Sequence, residues 1–325
     1  MTTTVARPHG CVAPVVLDHV VDDPQYIRRL AEANGPYFMP ARYLVDGSSA
    51  EQARDLATRA DREVPSYLIG PVWRGDWVFG GQELAPGTAE LLHHQGFIAA
   101  ARTMFDAEVV VPEQVYVNLS GPMGGNPFSH VDIPEFVGID RTNAPGWFLQ
   151  AMGSSRLFED VRITIATAVA WFHAGPRGYF RYWPEGREGP SVRHEDMWNT
   201  AVVGDNDFMH HKVERIGTDD ASTPTGMTID TELDHDGRHW NVVENGRRLA
   251  SYDDHNVRLS LSWKAKVYRD QAACERVSQQ TDAISIDEAL GRFTDALGQP
   301  LDDTNLASPQ LRDQLTSRWS GYVAG

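Results

Sequence analysis

The stretch Pro127-Phe-Ser-His-Val-Asp-Ile-Pro-Glu-Phe136 carries a histidine and an aspartate two residues apart, with a proline on each side. Side chains two apart in a strand point to the same face, so His130 and Asp132 can reach one metal ion from one strand or strand end. Glu135 is a fallback carboxylate, but its offset of five residues from His130 gives the wrong parity. An isolated His-x-Asp motif usually occurs by chance. Its functional meaning therefore depends on residues further along the chain.

Two adjacent histidines, His210 and His211, lie in the β-rich run 208–216. Adjacent strand residues face opposite ways, so only one of the two can join the first pair. Met209, His211 and Val213 share the less charged face, and we therefore predict His211 as the third ligand. Five other histidines are weaker candidates because of their predicted turns, parity or helical surroundings: His93, His94, His235, His239 and His255.

The run 257–268, VRLSLSWKAKVY, is the longest and most regular alternation in the chain. Arg258 and Ser260 share one of its faces. An arginine in an apolar strand needs a partner, because burying an unpaired charge is costly. Two explanations stay open. Arg258 and the Ser260 hydroxyl bind a small dicarboxylate, or Arg258 is exposed or pairs with a carboxylate of the protein.

Two histidines and one carboxylate can hold one face of an octahedral iron(II) ion and leave the other positions open. An arginine downstream can hold the carboxylate of a cosubstrate bound there, because a guanidinium fork matches a carboxylate. In this order the residues resemble the non-haem iron(II), 2-oxoglutarate-dependent oxygenases, with their H-x-D…H triad. The distal H-x-V pattern is matched at 211–213, the R-x-S pattern at 258–260, and a core strand with its turn at 178–186.

The resemblance covers roughly residues 110–268 and implies a double-stranded β-helix, the jelly-roll or cupin-like fold. It implies that His130, Asp132 and His211 bind Fe(II), and that Arg258 and Ser260 bind the 5-carboxylate of 2-oxoglutarate. With O2 as the oxidant, the expected outcome is hydroxylation of an unactivated C–H bond, with release of succinate and CO2. Asp132 argues against a halogenase, which would normally lack the carboxylate ligand.

The substrate side of the site is less defined. Tyr116 and Asn118 share a strand face before the first ligand, so either could touch 2-oxoglutarate or substrate. Five aromatic residues could line a pocket, although core packing is the more common role of each: Phe128, Phe136, Trp147, Trp171 and Trp183. The Gly- and Pro-rich stretch 120–127 could be a lid or only a connection.

Three rival classes stay open. One is a related non-haem iron oxidase that does not use 2-oxoglutarate, with Arg258 holding the carboxylate of its substrate. A second is a cupin-like metal-binding isomerase or hydrolase. The third is a structural β-sandwich with incidental histidines.

The composition bounds the partners. The 325 residues include 41% hydrophobic and 23% charged residues, as in an ordinary globular protein. A formal net charge of -16 argues against nucleic acid, which demands clustered Lys and Arg. Cys11 and Cys274 imply neither a disulfide framework nor a Cys-based zinc site. We expect a cytoplasmic enzyme of a small-molecule substrate, with no membrane partner and an unknown oligomeric state.

The chain pattern predicts an α+β protein, a β-rich core flanked by helices, as one catalytic domain spanning 1–325. We expect a mixed N-terminal region at 1–108, the β core at 109–268 and a C-terminal helical region at 269–325. Predicted helices run from Asp23-Pro24 to near Asn34-Gly35, over roughly 50–62 after the capping box of Ser49 and Gln52, and from Thr88 to about Phe105. A further helix begins at the capping box of Ser285 and Glu288. The core strands are predicted at 114–120, 161–173, 178–183, 199–203, 208–216 and 257–268.

The gap from His211 to Arg258 is longer than is usual in the family that the chain resembles. Alternating runs with turns at Asp236-Gly237 and Asn245-Gly246 predict a β-meander here, starting with a strand at 227–233. We interpret the meander, at about 225–252, as an insertion into the core.

Overall fold

The computed structural model describes Arg7 and residues 10–40, 69–125, 128–319 and 322–324. Its strands form two antiparallel sheets. The large sheet contains β1 (Val15–Leu17), β2 (Tyr37–Phe38), β3 (Val72–Phe79), β4 (Gln82–Glu83), β5 (Val109–Ser120), β7 (Thr164–Phe172), β10 (Trp198–Gly204), β12 (Glu232–His235), β13 (Trp240–Glu244), β14 (Arg247–Tyr252) and β15 (Arg258–Tyr268). The small sheet contains β6 (Phe128–His130), β8 (Phe180–Tyr182), β9 (Val192–His194), β11 (His211–Val213) and β16 (Tyr322–Ala324).

The core strands have the connectivity of a double-stranded β-helix. The order β10-β7-β15-β5 in the large sheet faces the order β6-β11-β8-β9 in the small sheet. Along the chain, β5, β7, β10 and β15 alternate with strands of the small sheet, so the backbone crosses between the sheets repeatedly. This is the jelly-roll arrangement, and it confirms the expected α+β fold with a β-rich core.

Each face of β15 has its own environment, because side chains alternate along a strand. Leu259, Leu261 and Trp263 belong to the main apolar core, together with residues of the N-terminal helices. Arg258 contacts Gly178, two residues before β8 of the small sheet, and Lys264 contacts Asp132 in the loop that follows β6. The polar face of β15 therefore lies between the two sheets, which is where a site can be built.

The meander forms the outer edge of the large sheet. Strand β12 pairs with β2, and β13 and β14 follow in order. Asn245 and Gly246 both have positive φ, at 49° and 75°, as a two-residue type I′ hairpin turn requires. The predicted first strand, 227–233, was placed too early. The backbone N–H of Thr228 donates to the Thr231 hydroxyl, and such local bonds compete with strand pairing.

The helices among the described residues are α1 (Pro24–Ala33), α2 (Ala89–Leu92), α3 (Gln95–Phe105), α4 (Gly146–Ser155), α5 (Gln271–Ser278), α6 (Ile286–Leu297) and α7 (Pro309–Thr316). Asp23 caps α1, and Ser285 with Glu288 forms the predicted capping box of α6. The single helix predicted from Thr88 to Phe105 is wrong, because His94 caps a new helix there by accepting from the backbone N–H of Phe97. The helix predicted at 50–62 lies outside the described residues.

Helix α4 has no counterpart among the sequence predictions. It lies in the long connection between β6 and β7, and its residues Phe148, Leu149 and Met152 are buried. These residues form a second apolar cluster with α6 and α7. Helices α6 and α7 therefore pack against the connection between β6 and β7, close to the metal-ligand candidate at the end of β6.

Candidate metal centre and carboxylate pocket

The structure brings His130, Asp132 and His211 together between the two sheets. His130 ends β6, His211 begins β11, and the two residues are paired across the strands. One potential ligand atom from each of the three residues lies within 4.8 Å of the other two. The imidazole centroids are 4.4 Å apart, and His211 Nε2 lies 3.6 Å from Asp132 Oδ1. Among the described residues, no other group of three such side chains converges in this way.

Backbone contacts orient two of the three ligands. His211 Nδ1 lies 2.9 Å from the carbonyl oxygen of Met209, which can only accept a hydrogen bond. The proton is therefore on Nδ1, and the Nε2 lone pair is left to face Asp132. The backbone N–H of Asp132 donates to the carbonyl of Asn206 at 2.8 Å, which fixes the loop after β6 beside the turn that precedes β11.

The electrostatics of the cluster suit a divalent metal. Burial would raise the pKa of Asp132, but Lys264 and the histidines outweigh it, so the pKa lies below its ordinary value. Burial and the neighbouring His211 lower the pKa of His130 to about 3, although Asp132 acts in the opposite sense. At neutral pH the cluster thus presents an ionised carboxylate and a neutral His130 imidazole, as metal binding requires. Two nitrogens and one oxygen on one side match the donor set of an iron(II) facial triad.

The rival ligands lie elsewhere. His210 is not part of the cluster, and burial with the nearby Arg187 lowers its pKa to about 4. Glu135 pairs with Lys266 at 3.1 Å. The predicted strand at 208–216 is too long, since β11 begins only at His211, and the backbone N–H of Met209 donates to the Asp205 carbonyl in a turn. The assumption that Met209 lies in the same strand as His211 is therefore wrong. The histidine it selected, His211, is nevertheless the one that joins the cluster.

The other weaker histidine candidates have separate contacts. His94 is the N-cap of α3, His235 packs on the ring of Trp240, and His239 lies 3.5 Å from Asp253. His255 lies in a short 3-10 turn before β15, and His93 ends α2. None of these five belongs to the His-Asp-His cluster.

Arg258 is buried at the start of β15, with 2% of its surface exposed. Its Nε donates to the carbonyl of Gly178 at 2.7 Å and its Nη1 to the Ser260 hydroxyl at 3.2 Å. Its Nη2 is buried and has no acceptor among the described residues. Burial lowers the pKa of Arg258 to about 9, which still leaves it charged at neutral pH. Within the described part of the chain, neither an exposed arginine nor an arginine paired with a protein carboxylate fits these contacts.

A second buried donor adjoins Arg258. Trp171 on β7 is paired with Ser260 on β15, and its indole Nε1 is buried without an acceptor among the described residues. The Trp171 ring packs against Phe180 of the small sheet at 5.2 Å between centroids. Arg258 Nη2 and the Trp171 indole N–H are therefore two buried donors on neighbouring strands without an acceptor among the described residues, and a bound anion would suit them. From the sequence, Trp171 was only one of several possible pocket aromatics.

Gly178 allows Arg258 to occupy this position. Its φ is +76°, and a Cβ atom at Gly178 would lie 2.9 Å from Arg258 Cδ. Only glycine combines that backbone conformation with this close approach, because other residues carry a Cβ that clashes. The glycine therefore lets its carbonyl receive the Arg258 Nε–H.

Tyr116 and Asn118 do face the interior, but they contact other groups. Asn118 is paired with Ser260 and its amide donates to the Ser262 hydroxyl at 3.5 Å. The Tyr116 ring lies under the guanidinium of Arg74, 3.6 Å from its centroid. Arg74 itself pairs with Asp76 on β3, so this side of the site is polar.

Lys264 and Asp207 are site residues that were not predicted from the sequence. Lys264 Nζ donates to Asp132 Oδ2 at 2.7 Å. Asp207 is buried, both of its carboxylate oxygens lack a partner among the described residues, and burial raises its pKa well above the ordinary value. Lys264 lies on the same face of β15 as Arg258. A charged residue in an apolar strand needs a partner, so the argument that singled out Arg258 in the sequence applies to Lys264 as well.

Comparisons with solved structures return iron and 2-oxoglutarate proteins at low similarity. A 2OG-Fe(II) oxygenase family oxidoreductase from Burkholderia pseudomallei is 11% identical, with a TM-score of 0.39, over 79% of this chain and 86% of that one. HygX from Streptomyces hygroscopicus, solved with nickel, 2-oxoglutarate and hygromycin B, is 10% identical with a TM-score of 0.40, over 78% and 83%. The 2-oxoglutarate-dependent epimerase SnoN of nogalamycin biosynthesis is 15% identical with a TM-score of 0.39, over 81% and 80%.

No protein-family model and no curated protein matches the sequence. The assignment of the fold therefore rests on the strand order, and the assignment of the candidate site rests on its geometry. Among the described helices, none has the length and apolar character to cross a bilayer.

Proposed function

We propose that this protein is an Fe(II)- and 2-oxoglutarate-dependent dioxygenase that hydroxylates an unactivated C–H bond of a small molecule, releasing succinate and CO2. The observation that carries the proposal is the buried Arg258, whose Nη2 has no acceptor among the described residues and which lies in the same jelly roll as the His-Asp-His cluster. A metal cluster alone fits many reactions. A metal cluster together with a buried arginine donor that can bind a carboxylate fits a reaction that needs a second, anionic reactant.

In this proposal His130, Asp132 and His211 would hold iron(II) through two nitrogens and one oxygen, a donor set that would leave room on the ion for reactants. Bound iron(II) and 2-oxoglutarate supply the electrons that activate O2. Asp132 completes the triad, so the outcome is hydroxylation in preference to halogenation.

The division of the chain into one catalytic domain with an insertion at about 225–252 stays a prediction.

The protein's own residues position the cosubstrate. Arg258 Nη2, the Ser260 hydroxyl and the Trp171 indole N–H are the donors proposed for the distal carboxylate of 2-oxoglutarate. Phe180 packs on Trp171 and also on His211, at 5.5 Å between ring centroids, so one aromatic residue connects the carboxylate pocket to the metal centre. These apolar walls exclude water and strengthen the charge-assisted hydrogen bonds within.

The polar side of the site suits a small, polar substrate. Arg74, Asp76 and Tyr116 lie on neighbouring strands β3 and β5 and face the same interior. We therefore propose a small metabolite, handled in the cytoplasm, with hydrogen-bonding or charged groups on the part that faces β3 and β5. Tyr116 and Asn118 line the site in this proposal, on the substrate side and the cosubstrate side respectively.

The decisive test is substrate-free turnover of 2-oxoglutarate. The purified protein with Fe(II) and ascorbate should produce succinate from 2-oxoglutarate, and the His211→Ala variant should not. Anaerobic addition of 2-oxoglutarate to the Fe(II) protein should give a visible charge-transfer band that is absent in the same variant. Iron binding without this band would favour the related iron oxidase, in which Arg258 holds the substrate's carboxylate. Tight zinc binding without iron activity would favour the cupin-like isomerase or hydrolase.

A further inference from the structure

One carboxylate oxygen of Asp132 already accepts hydrogen bonds from other side chains of the protein. Asp132 Oδ2 accepts from Lys264 Nζ at 2.7 Å and from the Thr167 hydroxyl at 3.4 Å. Asp132 Oδ1 instead faces His211 Nε2 at 3.6 Å. The two oxygens of one carboxylate therefore have different environments. One is bonded to the large sheet, and the other faces the histidines of the small sheet.

Lys264 is held in place by its surroundings. It lies on the polar face of β15, and it faces Tyr116 and Asp207 as well as Asp132. Lys264 and Thr167 are paired residues on neighbouring strands β15 and β7, which makes their joint approach to Asp132 a property of the sheet.

We propose that Lys264 is a positioning residue that fixes Asp132 as a one-oxygen ligand of the metal. Because Oδ2 is bonded to Lys264, only Oδ1 is available to bind the metal. The coordination position that Oδ2 would take if both oxygens bound the metal stays open for a reactant. This inference rests on the metal centre of the proposed function. It adds a residue that touches neither the metal nor the reactants.

The physical reason is competition for the second oxygen. A charge-assisted hydrogen bond to an ammonium is among the strongest available to a carboxylate. Carboxylates bind metals through one or both oxygens, and a partner on the second oxygen decides which mode forms. Removing Lys264 would free Oδ2 to turn towards the metal, and it would also remove a positive charge that repels the metal.

The experiment compares Lys264→Met, Lys264→Gln and Lys266→Met with the parent protein. Methionine removes the charge and the donor at similar length, whereas glutamine keeps an N–H donor. Lys266 is the matched control, because it lies on the same face of β15 and pairs with Glu113 and Glu135 at 3.1 Å. Each protein is loaded with Mn(II). The affinity for Mn(II) and the number of exchangeable metal-bound waters are then measured by water-proton relaxation, before and after adding 2-oxoglutarate.

We expect Lys264→Met to bind Mn(II) as tightly as the parent or more tightly, with one exchangeable water fewer. Lys264→Gln and Lys266→Met should keep the parent's number of waters. An unchanged water number in Lys264→Met would overturn the inference. So would Mn(II) binding that is weakened about tenfold or more, about 1.4 kcal/mol, since that indicates a merely structural lysine.

The two proposals fail in different ways. If 2-oxoglutarate displaces no water from the parent's Mn(II), the proposed cosubstrate is wrong, whereas the water numbers without 2-oxoglutarate still decide the role of Lys264. A parent that binds no Mn(II) at all would overturn both.

Discussion

At the scale of single residues, the candidate site depends on which of two adjacent histidines joins the His-Asp-His cluster. His211 should be essential and His210 dispensable, because only His211 belongs to the cluster and has its Nδ1 held by the Met209 carbonyl. We predict that His211→Ala abolishes Fe(II) binding while His210→Ala retains it. Equilibrium dialysis with iron analysis measures both variants, and circular dichroism checks the fold. Iron bound by His211→Ala at a full equivalent would remove this residue from the triad.

The carboxylate pocket gives a prediction with graded effects. Arg258→Gln should weaken 2-oxoglutarate binding by about 2–5 kcal/mol, because it removes the cation of a buried charge pair. Trp171→Phe should cost less, about 1.5–3 kcal/mol for one hydrogen bond to a charged group. Anaerobic titration of the Fe(II) protein reports both affinities. Trp263→Phe is the control, since its indole donates to the Leu92 carbonyl on the other face of β15, and its titration should match the parent. Parent-like titration of Trp171→Phe would exclude the indole from the pocket.

Asp207 gives a prediction about stability and pH. Its pKa in the folded protein is raised by burial, so above the ordinary carboxyl pKa of about 4 the unfolded chain loses a proton that the folded protein keeps. Stability then falls as pH rises through this range, because the folded state binds more protons. Asp207→Asn should be more stable than the parent at pH 7, and the difference should shrink towards pH 4. Thermal unfolding of both proteins across this range measures it. Asp22→Asn removes a fully exposed carboxylate and is the control for the loss of one negative charge.

At the scale of elements, the position of β15 depends on helix α1. Arg28 of α1 is buried, and its Nε donates to Asp254 at 2.8 Å while its Nη1 donates to the Phe172 carbonyl at 2.6 Å. The Trp240 indole also donates to Asp254 at 3.0 Å. Asp254 lies four residues before Arg258, so one carboxylate ties α1 and the meander to the start of β15.

We predict that Asp254→Ala destabilises the protein by about 3 kcal/mol, since it leaves a buried guanidinium unpaired. Urea unfolding measures the change. Asp253→Ala removes the neighbouring, largely exposed carboxylate and should change stability by less than about 1 kcal/mol. Equal effects of the two substitutions would show that the contact between Arg28 and Asp254 contributes little.

Elements with a strong local signal were predictable from the sequence, and those decided by tertiary contacts were not. The alternation at 257–268 and the Asn245-Gly246 turn specify β15 and the hairpin, because local chemistry allows few other structures there. Strand β11 was predicted too long, since a turn at Asp205 takes up the residues before His211. Helix α4 was missed because it is buried on several sides and lacks an amphipathic period.

At the scale of the whole molecule, the site joins the two sheets. The small sheet and its following loop provide His130, His211 and Asp132, whereas the large sheet provides Arg258, Ser260, Trp171 and Lys264. The sequence singled out the three residues of the His-Asp-His cluster and the buried Arg258, because each stands in a short motif. It gave Trp171 only as one of five possible pocket aromatics and did not predict Lys264, since their roles follow from pairing between strands far apart in the chain.

A site that joins both sheets should stabilise the whole fold when it is occupied. A ligand that binds only the folded state stabilises it by about 2.7 kcal/mol at a free concentration of 100 times its Kd. We predict that Mn(II), used in place of oxidisable Fe(II), raises the Tm of the parent by roughly 5 °C at that excess. Adding 2-oxoglutarate should raise the Tm further only when metal is present, because its chelating end requires the ion. Differential scanning calorimetry measures both steps, with Asp132→Ala as the variant that should show neither. Stabilisation by 2-oxoglutarate without metal would mean that the Arg258 pocket binds the dicarboxylate independently, and that the two sheets are not joined through the metal centre.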